Sequence, residues 1–137
     1  MSRSISLDKY MVKRPVTVNV NDSILEAVDT ILAHSVSGAC VVDDEGQLVG
    51  MLSELDCLRA IVERIYKNQE STAGLVGEVM TADVEVNKPQ DDIVSVAASM
   101  LSDKHRRRPI IDQNQLVGQV TCRQILGAFK DFTVPTR

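Results

Sequence analysis

Hydrophobic residues recur with the period of a helix in two stretches of the chain, and both stretches carry the same pattern. SILEAVDTIL, residues 23–32, and DIVSVAASML, residues 92–101, have apolar side chains at positions i, i+3, i+4, i+7 and i+8. This spacing is typical of an amphipathic helix that buries one stripe. The stripes predicted to be buried are Ile24, Ala27, Val28, Ile31 and Leu32, and Ile93, Val96, Ala97, Met100 and Leu101.

Polar residues at the start of each stretch support these two helices. Ser23 and Glu26 have the spacing of a capping box, in which each side chain accepts a hydrogen bond from the other residue's backbone N–H. Asp91 and Asp92 precede the second helix and are suited to cap the free amides of its first turn. Both helices are therefore expected to begin near these residues.

Both helices lie in the same order of β-rich segments. PVTVNV at Pro15 precedes the first helix, and VEV at Val84 precedes the second. ACVVDDEGQLVGML and PIIDQNQLVGQV follow them, each typical of a strand, a polar turn and another strand, after which Ser53 or Thr121 opens a last helix. The sequence thus predicts an α/β (α+β) fold in which one β-α-β-β-α unit is used twice. In each unit the first two strands should be parallel and the hairpin antiparallel.

A polar segment between the two units predicts the domain organisation. Residues 1–66 form the first repeat, residues 67–74 a linker and residues 75–137 the second repeat. A unit of fewer than about 70 residues buries little of its sheet when alone. We therefore expect the two units to pack together as one module with pseudo-two-fold symmetry.

Composition narrows the range of functions. The 137 residues carry a net charge of −4 and only 3% aromatic side chains, which argues against broad phosphate neutralisation or base stacking on nucleic acid. No apolar run approaches the roughly 20 residues needed to cross a bilayer, and the start MSRSISLDKYM is unlike a signal peptide, so a cytoplasmic protein without membrane contact is expected. Three cysteines without a CxxC pair and two histidines suggest neither disulfides nor a metal site.

Two stretches carry candidate chemistry. In GMLSELD, Gly50 would let a backbone or a ligand approach, and Asp56 could accept two hydrogen bonds from a vicinal diol; Ser53 and Asp56 would equally well cap a helix. In HRRRPIID, residues 105–112, guanidinium groups directly before a strand suit phosphate binding, although a solvated charge run explains them as well, with Arg108 lying over the edge of the core.

The repeated motifs resemble the tandem cystathionine-β-synthase (CBS) domain pair, or Bateman module. The resemblance is carried by YMVKRPVTVNVNDSILEAV, SGACVVDDEGQLVGMLSELDCLRAI, EVMTADVEV and RRPIIDQNQLVGQVTCRQIL, which cover most of the chain. It implies a non-enzymatic sensor that binds AMP, ADP, ATP or S-adenosylmethionine as an effector in a cleft between the repeats, with no obligatory cofactor.

The resemblance also implies where the ligand contacts lie. Ser53 and Asp56 match the family's ribose-binding corner, which the second repeat keeps only in part, with Thr121 but with Gln124 in place of Asp. By the same analogy, the basic turn would contact phosphates and would serve the corner of its own repeat. The predicted ligand-binding residues are Ser53, Asp56, Val16, Thr17, Val36, Ser37, Val84, His105, Arg106, Arg107, Thr121 and Gln124.

Two further expectations concern partners. Pairs of this family commonly join into dimers, and helices such as LRAIVERI have apolar surface to cover, so a homodimer is predicted. An effector protein would receive the signal. The alternative is a structural dimerisation module that binds no ligand, which Gln124 favours.

Overall fold

The structure is a computed structural model that describes residues 5–133, and it divides into two compact units. One unit is Val16–Val84, and the other combines residues 5–15 with residues 85–133. The predicted division at residues 67–74 follows the sequence repeat. The compact units are divided differently. Residues 5–15, which lead into the first repeat, belong with the hairpin of the second repeat, and residues 75–84, which lead into the second repeat, belong with the hairpin of the first.

The predicted elements are present with one exception, and the structure adds a 3-10 turn, a short first strand, a π-helix and a short helix before the second repeat. The elements are, in chain order, a 3-10 turn (Leu7–Lys9), β1 (Val12–Lys13), β2 (Thr17–Asn19), α1 (Ile24–Ala33), β3 (Gly38–Val42), β4 (Leu48–Ser53), α2 (Glu54–Ala60), a π-helix (Ile61–Lys67), α3 (Val76–Val79), α4 (Ile93–Asp103), β5 (Arg107–Asp112), β6 (Gln115–Thr121) and α5 (Cys122–Thr133). The exception is VEV, residues 84–86, which is not a strand. In the first repeat, the amide of Val20 donates to the carbonyl of Val42 and extends the pairing of β2. The equivalent residue of the second repeat is Pro89, which has no N–H and cannot make this hydrogen bond.

Each unit contains a three-stranded sheet with the same underlying arrangement. In the first described unit the strand order is β2-β3-β4, with β2 parallel to β3 and β4 antiparallel to it, as predicted. Thr81 bridges to Met51 on the far side of β4. In the other unit the order is β1-β6-β5, and Asn87 bridges to Ile110 in the parallel sense. The two sheets therefore have the same arrangement but differ in one edge. In the first sheet the parallel edge segment is a full strand, β2, and in the second sheet the antiparallel edge segment is, β1.

The capping predictions are confirmed for Ser23, Glu26 and Asp92. The Ser23 hydroxyl accepts from the Glu26 amide at 3.1 Å, and the Glu26 carboxylate accepts from the Ser23 amide at 2.9 Å. Asp92 accepts from the amide of Ser95 at 3.1 Å. Asp91 is used differently, because its carboxylate accepts from the amide of Lys88 in the preceding turn.

The buried stripes are confirmed for most of their members and are wrong for Leu32 and Leu101. Their side chains are 70% and 81% exposed. Each follows a buried residue, Ile31 or Met100, by one position and therefore lies about 100° away around the helix. The buried members are Ile24, Ala27 and Ile31 in α1 and Ile93, Val96 and Met100 in α4.

The segment that leads into each repeat passes directly over a glycine in the hairpin of the other repeat. We call these leading segments; Met80 and Thr81 of one lie over Gly50, and Met11 and Val12 of the other lie over Gly118. A Cβ on Gly50 would lie 2.6 Å from Met80 Sδ and 2.7 Å from the carbonyl oxygen of Thr81. A Cβ on Gly118 would lie 2.8 Å from both Met11 Sδ and the carbonyl oxygen of Val12. Of the two uses that the sequence left open for Gly50, the structure shows close approach of a backbone.

Candidate functional site

Ser53 and Asp56 form a reciprocal cap where β4 passes into α2. The Ser53 hydroxyl accepts from the amide of Asp56, and Asp56 Oδ2 accepts from the amide of Ser53, both at 3.0 Å. The second oxygen, Oδ1, has a longer contact of 3.5 Å with Arg59 Nη1. The Asp56 side chain is 20% exposed. Capping therefore uses one carboxylate oxygen and leaves the other with one weak contact to a surface cation.

Most of the other predicted residues of the first repeat lie at the same edge of that sheet. Ser53 ends β4 opposite Gly38, and the carbonyl of Ser37 accepts from the amide of Glu54 at 2.8 Å. Val36 directly precedes Ser37 in the loop that enters β3. Thr17 begins β2 opposite Cys40, two residues along β3, and the carbonyl of Val16, just before β2, accepts from the amide of Cys40. The edge at which β2 and β3 begin and β4 ends therefore gathers these residues around the cap.

Val84 is the remaining predicted residue of this compact unit. It is half-buried in the irregular stretch after Thr81 and is the last residue of the unit. Its place beside a ligand stays a prediction.

Thr121 and Gln124 form the equivalent corner between β6 and α5, with different hydrogen bonding. Gln124 Oε1 accepts from both the amide and the hydroxyl of Thr121, each at 2.7 Å. The oxygen of Gln124 is thus engaged twice, and its remaining polar atom is an amide nitrogen that only donates. This corner offers a ligand a donor where Asp56 offers an acceptor.

The basic turn lies beside this second corner, within the same compact unit. Arg107 pairs with Thr121 across the β5–β6 ladder, and the carbonyl of Arg106 accepts from the amide of Cys122 at 3.2 Å. The side chain of Arg106 is exposed, and that of Arg107 is half-buried. The structure therefore places the arginines next to Thr121 and Gln124, whereas Asp56 belongs to the other unit.

Arg108 differs from the sequence-based expectation. It is 1% exposed and therefore does not lie over the edge of the core with its charge in water. Its guanidinium donates four hydrogen bonds, to His105 Nδ1 (3.0 Å), Asn87 Oδ1 (3.1 Å), Ser99 Oγ (3.0 Å) and Asp103 Oδ2 (3.0 Å). The repeat contained a signal for this burial, since Arg108 occupies the strand position of Ala39 in the first repeat, inside the apolar run GACVV.

Two titratable groups near these corners have shifted pKa values. The backbone amide of Lys88, and then the side chain of Asn87, lower the pKa of Asp91. Asn87 donates to Asp91 at 2.9 Å and accepts from Arg108, so the Arg108 network extends to this carboxylate. Burial, and then the charge of Asp56, raise the pKa of the Cys57 thiol, which favours the protonated form.

Residues 5–133 show neither a metal-binding cluster nor a membrane-spanning helix. These residues contain no group of three or more histidine, cysteine, aspartate or glutamate side chains that could hold a metal ion. None of their helices combines the length and the apolar content that a membrane crossing needs.

A family model for the CBS domain matches the chain twice, over residues 6–63 and 76–131. The chain is also 33% identical over 113 residues to the uncharacterized protein MJ1225 of Methanocaldococcus jannaschii. That match covers 82% of this chain and 39% of the relative, so the chain spans well under half of the relative's length.

Two solved structures resemble the fold over nearly its full extent. The CBS domain pair of protein MJ0100, in complex with 5′-methylthioadenosine and S-adenosyl-L-methionine, has a TM-score of 0.82 and 25% identity, and covers 96% of this chain and 100% of that one. CBSX2 of Arabidopsis thaliana in complex with AMP has a TM-score of 0.82 and 25% identity, with 93% and 97% covered.

Proposed function

Since the chain belongs to the CBS domain family and contains a tandem pair of these domains, we propose that it is a regulatory module that binds an adenosine-containing ligand. AMP, ADP, ATP and S-adenosylmethionine are the candidates. Occupancy would shift a conformational equilibrium that an effector protein reads, by the ligand's difference in affinity for the two states. The module would regulate without carrying out a reaction.

One observation carries this proposal: the likeness to CBS pairs that were solved with ligands, over more than nine tenths of this chain. AMP, 5′-methylthioadenosine and S-adenosylmethionine have the adenosine group in common and differ in what is attached to its 5′ carbon. The chemistry shared by all three is therefore a purine joined to a ribose.

Asp56 is the proposed ribose partner. Its Oδ2 caps α2, so Oδ1 is the atom that would accept from a ribose hydroxyl, in place of the 3.5 Å contact with Arg59. A charged acceptor makes a stronger hydrogen bond than a neutral one. Gln124, with its oxygen already engaged by Thr121, is the weaker counterpart.

Arg106 and Arg107 are the proposed phosphate contacts, with His105 beside them. Arg106 directly precedes β5 and Arg107 is its first residue, and both lie next to the first residues of α5, where the free amides of a helix N-terminus also favour an anion. A guanidinium adds a fork of donors that matches phosphate oxygens. This geometry supports a ligand that carries phosphate over uncharged adenosine.

Calorimetry on nucleotide-free protein tests these roles with AMP, ATP, S-adenosylmethionine and adenosine. Asp56→Ala should weaken all four ligands about ten- to a hundred-fold at the corner that it forms with Ser53, since it removes a charge-assisted hydrogen bond to ribose. At the corner of Thr121 and Gln124, Arg106→Ala with Arg107→Ala should weaken AMP and ATP, spare adenosine and flatten the salt dependence of nucleotide binding.

Glu26→Ala is the matched control for Asp56→Ala. It removes the same kind of capping carboxylate from α1, and capping is worth about 1 kcal/mol of stability in either helix. Its ligand affinities should equal those of the wild type. If no adenine nucleotide and no S-adenosylmethionine binds at millimolar concentration, the sensor function is refuted.

A structural dimerisation module is the second candidate, and two features favour it. Both corners complete their helix-capping hydrogen bonds without a ligand. The helices also expose apolar side chains at equivalent positions of the two repeats: Leu25 and Val94, Leu32 and Leu101, and Leu58 and Leu126. A homodimer that covers these side chains is compatible with either candidate.

A further inference from the structure

Arg108 has an unusual environment for an arginine near the start of a strand. Its side chain is among the largest that are fully buried in the described part of the chain. Removing a guanidinium from water is costly unless its charge is paired and its N–H groups are bonded. Here the counterion is Asp103, whose side chain is itself 42% exposed.

The four hydrogen bonds of Arg108 join three separate segments. Ser99 and Asp103 lie on the last two turns of α4, and Asn87 lies in the stretch before that helix. His105 belongs to the turn itself, one residue before Arg106. Arg108 therefore ties the end of α4, the turn that leaves it and the neighbouring edge segment to the start of β5.

The fold itself does not require this network. The equivalent position in the first repeat is Ala39, which is fully buried in β3 and has no side chain able to form hydrogen bonds. The α1–β3 turn of that repeat closes with the same backbone hydrogen bond, from Val36 to the carbonyl of Ile31, as the α4–β5 turn makes from His105 to Met100. Of the two equivalent positions, only the one that follows the basic turn, Arg108, therefore carries a buried charge.

We propose that Arg108 is a positioning residue that holds Arg106 and Arg107 in a single conformation for phosphate binding. The turn begins at Lys104, whose φ of 59° is a left-handed conformation that L-residues rarely adopt. Arg108 Nε donates to the ring of His105, which is half-buried, and the next side chain, that of Arg106, is exposed. This inference rests on the proposed phosphate contacts.

The first measurement needs no ligand. In Arg108→Met, the amides of Lys104 and His105, which donate to the carbonyls of Leu101 and Met100, should exchange hydrogen at least about ten-fold faster than in the wild type. The amide of Val36, at the equivalent place in the first repeat, is the internal control and should be unchanged.

The second measurement is phosphate discrimination, the ratio of the dissociation constants of adenosine and AMP. Arg108→Met should reduce this ratio about five-fold or more while the affinity for adenosine changes less than two-fold, because disordered arginines pay an ordering cost on binding. Val96→Ala, which creates a cavity in the core of the same unit, is the matched control for lost stability and should keep the wild-type ratio.

The outcomes are separable. Unchanged exchange at Lys104 and His105 in Arg108→Met overturns the positioning role, whether or not any ligand binds. Faster exchange with an unaltered ratio overturns its link to phosphate. If the wild type binds no nucleotide, the proposed function fails and exchange alone decides the positioning role. If Arg108→Met does not fold, Asp103→Asn, which keeps the shape of the counterion and removes its charge, replaces it with the same expected directions.

Discussion

The two histidines each follow a long helix, and their ring nitrogens are used in opposite ways. His34 Nδ1 lies 2.9 Å from the carbonyl oxygen of Thr30, which only accepts hydrogen bonds. His105 Nδ1 lies 3.0 Å from Arg108 Nε, which only donates. The structure therefore requires a proton on Nδ1 of His34 and an unprotonated Nδ1 on His105.

Nitrogen NMR of histidine-labelled protein at a pH where both rings are neutral checks this prediction. His34 should show the Nδ1–H tautomer, and His105 the Nε2–H tautomer. Arg108→Met should release the preference of His105 and leave His34 unchanged. Identical tautomer signals for the two rings in the wild type would contradict the Arg108–His105 contact.

Among single residues, the sequence predicted the helix caps better than it predicted which side chains are buried. Ser53 with Asp56 was assignable as a cap because capping depends on residues three positions apart. The burial of Arg108 depends on partners at Asn87 and Ser99, which the chain brings together only when folded. Three consecutive arginines do not by themselves reveal which of them points inward; the comparison with Ala39 in the first repeat does.

At the element scale, Gly50 and Gly118 allow a leading segment to lie directly against β4 and β6. In each case the atoms in the way of a side chain are a methionine sulfur and a backbone carbonyl oxygen. A thioether can move, whereas the carbonyl belongs to a segment that pairs with the strand.

Alanine at either glycine should therefore destabilise the protein by about 1–3 kcal/mol, because the paired segment must shift to admit a methyl group. Urea unfolding of Gly50→Ala and Gly118→Ala measures this loss. Gly127→Ala is the matched control: a Cβ there meets nothing within 4 Å in α5, and alanine should stabilise the helix by about 0.5–1 kcal/mol. A stability of Gly50→Ala equal to that of the wild type would refute the close approach.

Helices were predicted more reliably than edge strands, for a physical reason. The periodicity and caps of α1 and α4 are local properties, so their existence and their buried faces could be read from sequence. Whether an edge segment forms a ladder depends on a partner strand and on single residues such as Pro89. The sequence alone also did not show that β1 would pair with β6.

At the scale of the whole molecule, the exposed apolar side chains form matching pairs in the two repeats. Leu25 and Leu32 are seven residues apart, so they lie within about 20° of each other on one side of α1, next to the buried stripe. Val94 and Leu101 have the same relation on α4. Such a repeated strip is the surface that we expect a second copy of the chain to cover.

The double variant Leu32→Glu and Leu101→Glu should be monomeric where the wild type is dimeric, because a buried unpaired carboxylate opposes association. Light scattering at micromolar concentration is the measurement. The matched control is Ala33→Glu with Ser102→Glu, which adds the same charge at exposed positions about 100° further around α1 and α4 and should remain dimeric. A wild type that is monomeric throughout this range would contradict the dimer.

The exchange of leading segments makes the two repeats mutually dependent. A break in the peptide chain within residues 68–74 would produce two fragments, neither of which contains a complete compact unit, since each unit draws residues from both sides of the break. The fragments should therefore complement one another when mixed and fold poorly when apart.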